Sequence, residues 1–269
     1  MALADIHSKI NTLYSLEQLS AGQTIIHQVC PLAKLAVTAV YLVCLASLGR
    51  YDLGRLTSFL FYPVLTMALG ELPYGMLLSR AAVALPFCLL TGISNLVFDQ
   101  TVLLFLGPLP VTGGLVSLLA LLLRCLLCVS AILILVAVTP FQALSDQLRR
   151  LHVPTILVTL LEMTYRYIGV LAEEAVGMVT AYRLRGNGAK WPNIRQFGSF
   201  VGQLLLRSAD RAQRIYQAME CRLYTQRNEK KDRLPWRPGD WAFLLLGSGS
   251  ALYLRFFDVT AVLGGVLLW

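Results

Sequence analysis

Apolar residues run along this chain in blocks longer than most core helices need. Four blocks precede residue 139: about Leu32 to Leu48, Leu53 to Leu69, Met76 to Phe98 and Thr112 to Val138. A hydrocarbon layer about 30 Å thick takes roughly 20 apolar residues of helix to cross, so each block predicts a span. The stretches GRYDLGR, GELPYG and GPLPVTGG lie between them and carry the Gly and Pro of turns.

After residue 139 the pattern changes. Residues 140–153 predict a short amphipathic helix, closed by Pro154. A long helix then runs from about Thr155 to Arg185, with an apolar line at Leu157, Leu161, Ile168, Ala172, Ala175, Val179 and Tyr182. Glu162, Arg166, Glu173 and Arg183 take the other side. Glu162 and Arg166 stand at i, i+4, a spacing worth roughly 0.2–0.5 kcal/mol as an ion pair. Gly186 suits the left-handed residue that closes a helix, and Arg183 and Arg185 suit the negative end of its dipole.

Pro192 opens a second long helix that reaches about Tyr224, with an apolar line at Phe197, Val201, Leu204, Ala212, Ile215 and Met219. Arg207, Arg211 and Arg214 follow at steps of 4 and 3, and two further steps of 4 reach Arg222. At 1.5 Å per residue each long helix measures roughly 45 Å. Both are long enough to cross a bilayer, but each is polar along one face. That face predicts helices lying along the cytoplasmic surface, one side buried and the other offered to a partner.

A hydrophilic linker, TQRNEKKDRLPWRPGD, leads to a fifth apolar stretch that begins at the interfacial residue Trp241. Arg255 and Asp258 interrupt it at i, i+3, either paired inside the bundle or marking where the span leaves the membrane. The predicted fold is all-α and polytopic, with about five transmembrane helices and a cytoplasmic module of one short and two long amphipathic helices. Its divisions are residues 1–139, 140–240 and 241–269.

Composition supports the membrane reading. Of the 269 residues 57% are hydrophobic and 14% charged, against roughly 25% charged in ordinary globular chains. Residues 146–239 hold 16 Lys and Arg against 8 Asp and Glu, which is the entire net charge of +8. Basic excess of this kind marks the cytoplasmic side. The linker DQTVLLFLGPLPVTGG, without a basic residue, is then outside and the N-terminus inside. Arg50 and Arg55 run against that rule. The first residues lack the cationic start and apolar core of a signal peptide, so insertion is expected to rely on the spans.

Little in the chain suggests chemistry. Cys30, Cys44, Cys88, Cys125, Cys128 and Cys221 fall mostly in apolar runs and read as small packing residues. His7, His27 and His152 are far apart and offer no ligand spacing. No P-loop, G-x-S-x-G or H-E-x-x-H sequence occurs, and the cationic stripe lacks the interleaved aromatics of a nucleic-acid surface. Arg124 lies within the fourth block, where a charge is costly. It faces either the bundle interior or a partner subunit. From the residues alone the chain reads as a coupling or scaffolding subunit, and Arg185 and Arg222 as docking groups or as dipole complements.

The block TPFQALSDQLRRLHVPTILVTLLEMTYRYIGVLAEEA, the sequence RLRG, and RSADRAQRIYQAMECRLY resemble the transmembrane T component of energy-coupling factor (ECF) transporters, the cobalt and nickel type, CbiQ. With CPLAKL and SNLVF the resemblance covers about residues 30–225. It implies a non-catalytic coupling subunit of an ATP-dependent importer in a bacterial or archaeal cytoplasmic membrane. The implied partners are ABC ATPase subunits, which hold ATP and Mg, and a substrate-binding CbiM-like subunit with a small CbiN-like one; no cofactor is bound directly. It further implies that Leu184-Arg185-Gly186 and Cys221-Arg222-Leu223 are the two x-Arg-x motifs that dock on the ATPases. The second departs from the usual Ala-Arg-Gly, keeping only the arginine. Two alternatives remain: a T component serving a vitamin-type or shared transporter, and a membrane enzyme or stand-alone permease built around Arg124, Arg255 and Asp258.

Overall fold

Prolines decide where the apolar blocks begin and bend. The computed structural model describes residues 22, 24–49, 52–98, 102–106, 109–185, 194–224 and 237–257. A one-turn helix α1 (Ile25–Gln28) precedes α2 (Pro31–Ala46), which starts on a proline, where a missing N–H costs nothing. The second block is α3 (Leu53–Ser58) followed by α4 (Phe61–Gly70). Pro63 in α4 has no N–H for the carbonyl four residues back, at Phe59, so the ladder breaks there. The buried Tyr41 hydroxyl of α2 donates to that carbonyl instead, at 2.9 Å.

The third block, expected as one span, is α5 (Tyr74–Ala82) and α6 (Leu85–Phe98), bent by 46°. Pro86 removes the helical bond back to Ala82 and explains the break. A hairpin of β1 (Val102–Leu106) and β2 (Leu109–Thr112) follows, pairing Val102 with Thr112 and Leu106 with Leu109. The sequence pattern alone predicts a plain linker here. The fourth block is α7 (Gly113–Val138), and then come α8 (Phe141–Arg150), α9 (Thr155–Arg185), α10 (Ile194–Cys221) and α11 (Pro238–Phe256).

The described residues form two compact units, one of residues 142–224 and one of the remainder. In the larger unit Tyr41, Leu45, Leu48, Leu56, Phe59, Ala120, Leu127, Ala131 and Ala251 make one apolar core. Small residues bring its helices close. A Cβ added to Gly247 of α11 would stand 2.7 Å from Cγ1 of Val37, and one on Gly92 of α6 would stand 3.2 Å from Cγ of Leu118 in α7. Lipid tails give helices no hydrophobic reason to associate, so close backbone approach carries the packing.

Two buried charges in this unit meet helix ends. Lys34 is buried, and its ammonium donates to the carbonyls of His27 (3.1 Å) and Val138 (3.2 Å), the last residue of α7. Buried Asp240, in the first turn of α11, accepts from its own N-cap amide, Arg237 N–H, and from Cys30 N–H, the N-cap of α2, both at 2.8 Å. A cation at a C-terminus and an anion at two N-termini match the helix dipoles.

Three stretches, Leu53–Gly70, Gly113–Val138 and Thr155–Arg185, are long and apolar enough to cross a membrane, and the bent α5–α6 pair makes a fourth. Helix α2 has 16 residues, roughly 24 Å, and falls short of the hydrocarbon thickness. In α11 the run Gly247-Ser248-Gly249-Ser250 and two charges dilute the apolar character. Helix α9 corrects an expectation: one polar face was read as barring it from the membrane. Only Glu162 and Arg166 fall within residues 155–172, so its first half passes by composition. Apart from the hairpin, the chain is an all-α polytopic membrane protein.

Candidate functional site

The smaller unit is built on two carboxylates. Glu162 of α9 accepts from Ser145 Oγ at 2.7 Å and from Arg149 Nη2 at 2.7 Å, both on α8. Ser145 and Arg149 are one helical turn apart, so one carboxylate meets both. This corrects the expected Glu162–Arg166 pair: both oxygens are taken by the neighbouring helix, which a reading along one helix cannot foresee. His152, at φ 63°, and the bond from Val153 N–H to Leu148 carbonyl (3.2 Å) reverse the chain before Pro154.

The second carboxylate joins the long helices. Glu174 of α9 receives Arg207 at 3.3 Å and Arg211 at 3.4 Å, both from α10. The sequence suggested a cationic stripe of Arg207, Arg211 and Arg214 directed at a partner. Two of the three reach α9 instead, because their i, i+4 spacing brackets one acceptor. These bonds are long and Arg207 is 53% exposed, so they orient the pair more than they stabilise it. Arg214 is exposed.

Beyond Glu174 both helices end in exposed arginines. Arg185 is the last residue of α9, exposed beside an exposed Leu184; Gly186 lies outside the described residues. Helix α10 ends at the exposed Cys221, and Arg222 is its cap, bonded through N–H to the Ala218 (3.3 Å) and Met219 (3.2 Å) carbonyls. Leu223 N–H reaches the Glu220 carbonyl at 2.9 Å, and Tyr224 N–H the Met219 carbonyl at 3.0 Å. That crossed pair of bonds needs a left-handed residue between them, and Leu223 supplies it at φ 52°. Glycine adopts this conformation freely, whereas leucine costs about 1–2 kcal/mol there. One turn earlier, the hydrogen bond of Tyr216 to Glu220, and then that carboxylate's charge, raise the phenol above its usual pKa.

Arg185, Arg214 and Arg222 enter none of the ion pairs among the described residues. Each guanidinium offers five donors in a plane, suited to carboxylates or helix-end carbonyls.

The arginines of the larger unit do something different. Arg124 Nη2 donates to the carbonyls of Leu48 (2.8 Å) and Gly49 (2.9 Å), just past the end of α2. Arg255 Nη2 donates to Ser47 Oγ at 2.9 Å, at the same helix end. Arg124 thus meets its own bundle at the end of α2. Asp258 lies outside the described residues, and so does its pairing with Arg255. Sequence reasoning missed Glu174 as the bridge between the long helices and the contacts of Lys34. Its signal for the latter was a lone lysine opening an apolar block.

Comparison with known proteins adds a family. The model described as CbiQ, cobalt transport protein, matches residues 22–232. Over 89 residues the chain is 37% identical to the cobalt transport protein CbiQ of Rhodobacter capsulatus, a match covering 33% of this chain and 36% of that protein. Over 102 residues it is 33% identical to the cobalt transport protein CbiQ of Salmonella typhimurium, covering 38% and 45%. A protein of Methanocorpusculum labreanum named as a fused cobalt transport protein, CbiMQ, is 29% identical over 87 residues, covering 32% and 14%. The chain thus matches less than half the length of each of these curated relatives.

Proposed function

Because this chain belongs to the CbiQ cobalt transport protein family, we propose that it is the transmembrane coupling subunit of an ECF-type ABC importer that brings cobalt or nickel into the cell. It transmits the motion of two cytoplasmic ATPase subunits, which hold ATP and Mg, to a substrate-binding subunit within a bacterial or archaeal cytoplasmic membrane. That subunit is CbiM-like, with a small CbiN-like chain as a further partner. The name CbiMQ, borne by a fused relative, supports this pairing. The chain itself catalyses no reaction.

The observation that carries the reading is the pair of exposed arginines, Arg185 and Arg222, at the C-terminal ends of two long helices tied together through Glu174. In this reading the apolar first half of α9, with Ile156, Leu157, Leu160 and Ile168 exposed, is bedded in the membrane region. Its charged second half carries Arg185 to the ATPases. When the ATPase dimer closes, a push on a helix-end guanidinium travels along a strut that bends little.

The experiment is co-purification of the full chain with its ATPase subunits, comparing the native protein with the Arg185→Ala/Arg222→Ala double variant. Complementing a helix dipole is worth about 0.3–1 kcal/mol per arginine and would alter only stability. A docking arginine is worth about 2 kcal/mol or more, so each substitution should weaken association by roughly 30-fold. ATPase association and metal uptake unchanged in the double variant would end the proposal.

A further inference from the structure

We propose that a single ordered water occupies the cavity beside Lys34, and that Lys34, through this water, ties α2, α4 and α7 together. All of its partners lie in the larger unit, and none depends on the coupling reading above.

The cavity measures ≈ 20 Å³. One water needs about 10–15 Å³ and two to four polar partners. Lys34 and Thr38 of α2 and Tyr62 and Thr66 of α4 supply the polar wall, and apolar side chains of α1, α7 and α11 close the rest. Lys34, Thr38 and Thr66 are buried, so their polar atoms depend on what the cavity holds.

Counting protons shows what is left over. An ammonium carries three donors. Two go to the His27 and Val138 carbonyls, at 3.1 and 3.2 Å, which leaves one. Thr38 gives its proton to the Lys34 backbone carbonyl at 2.8 Å. Across the 3.3 Å between Thr38 Oγ1 and Tyr62 Oη the donor is therefore the tyrosine. Thr66 shares its proton between the Tyr62 and Pro63 carbonyls, at 2.8 and 3.1 Å. The hydroxyl oxygens of Tyr62 and Thr66 thus keep lone pairs that no donor among the described residues meets, and they share the cavity with one spare ammonium N–H.

Water answers that remainder, since it accepts from Lys34 and donates to both oxygens. A buried donor on a charged group is costly to leave unmade. Chloride would accept from Lys34 but offer nothing to the two oxygens. The positive charge is already faced by the C-terminal end of α7 and attracted by the Asp240 carboxylate. A metal cation would be repelled by the ammonium. Just past Val138 the chain leaves α7 for α8, so the water helps to seat the last carbonyl of α7.

The test is a crystal structure of the full chain grown in a lipidic phase, with a second crystal soaked in bromide. One oxygen-sized peak should stand about 2.7–3.2 Å from Lys34 Nζ, and bromide should not replace it. The Tyr62→Phe/Thr66→Val variant keeps most of the walls, removes both acceptors, and should lose the peak. An empty cavity in the native protein, a bromide signal in it, or a peak unchanged in this variant would overturn the inference. Unfolding in mixed micelles gives a second readout. The Lys34 side chain bonds neither Tyr62 nor Thr66 directly, so the bridging water is what couples them. Lys34→Met combined with Tyr62→Phe/Thr66→Val should shift the unfolding equilibrium about fivefold less than the product of the separate effects. Effects that simply multiply would also overturn the inference. If Lys34→Met does not fold, the crystals decide.

Discussion

Replacing Tyr41 with Phe removes one oxygen atom from the core, and the structure sets what that oxygen is worth. It is the donor found for the Phe59 carbonyl, at 2.9 Å, in a place where both residues are fully buried. Ordinarily a helix would supply a backbone N–H four residues on, but that residue is Pro63. Stranding a buried carbonyl costs about 1–3 kcal/mol. Side-chain hydrogen bonds in membrane proteins average only ~0.6 kcal/mol, with a maximum near 1.7, because broken ones find substitutes. Pro63 withholds the nearest substitute, so Tyr41→Phe should fall near the upper figure, about 1.5 kcal/mol. The ring contacts with Phe59 (centroids 5.6 Å apart) and Tyr62 (4.4 Å) remain in the variant. In a Pro63→Ala background the new N–H can take the carbonyl, and the same substitution should cost about 0.5 kcal/mol or less. Reversible unfolding in mixed micelles with rising SDS fraction, followed by circular dichroism, gives all four stabilities of the cycle. An identical cost with and without Pro63, or no cost at all, would refute the account of this break.

Two further outcomes test the bundle. Arg124→Met should lower stability by about 2 kcal/mol, since it removes charge-assisted bonds to two carbonyls, while leaving association with ATPase subunits intact. A stable Arg124→Met that loses a partner subunit would return this residue to an interface. Cys88 of α6 and Cys125 of α7 lie near enough for their thiols to interact. A membrane-permeant dithiol oxidant, taking up two protons and two electrons, should therefore link them in preference to any other pair, as read by peptide mass spectrometry. A dominant link to Cys30 or Cys44 would mean that the α6–α7 register is mistaken.

Much of the architecture could be read from pattern alone, because apolar length and Gly-Pro punctuation act locally. The blocks, the short amphipathic helix and both long helices lie close to where periodicity puts them. Contacts between helices were not legible. Glu162 has Arg166 on its own helix, yet Ser145 and Arg149 occupy it, since a packed neighbour holds two donors where one exposed turn offers one. The break at Phe59 needed the knowledge that Tyr41 lay opposite Pro63. Arg124 stood out as a costly charge in an apolar block and Lys34 passed unremarked, and their acceptors lie 76 and 104 residues away. Leu223 was visible as a departure from Ala-Arg-Gly, and only the backbone revealed that it adopts a left-handed cap conformation.

The bond from Cys30 to Asp240 crosses 210 residues of chain. A ribosome adding about 5–20 residues per second needs roughly 10–40 s to produce that length. For that interval the first long helix waits with its leading amide unclaimed. Its seat in the bundle is completed only when a helix made some 210 residues later arrives, so early and late segments of the chain must meet before this part of the bundle is closed.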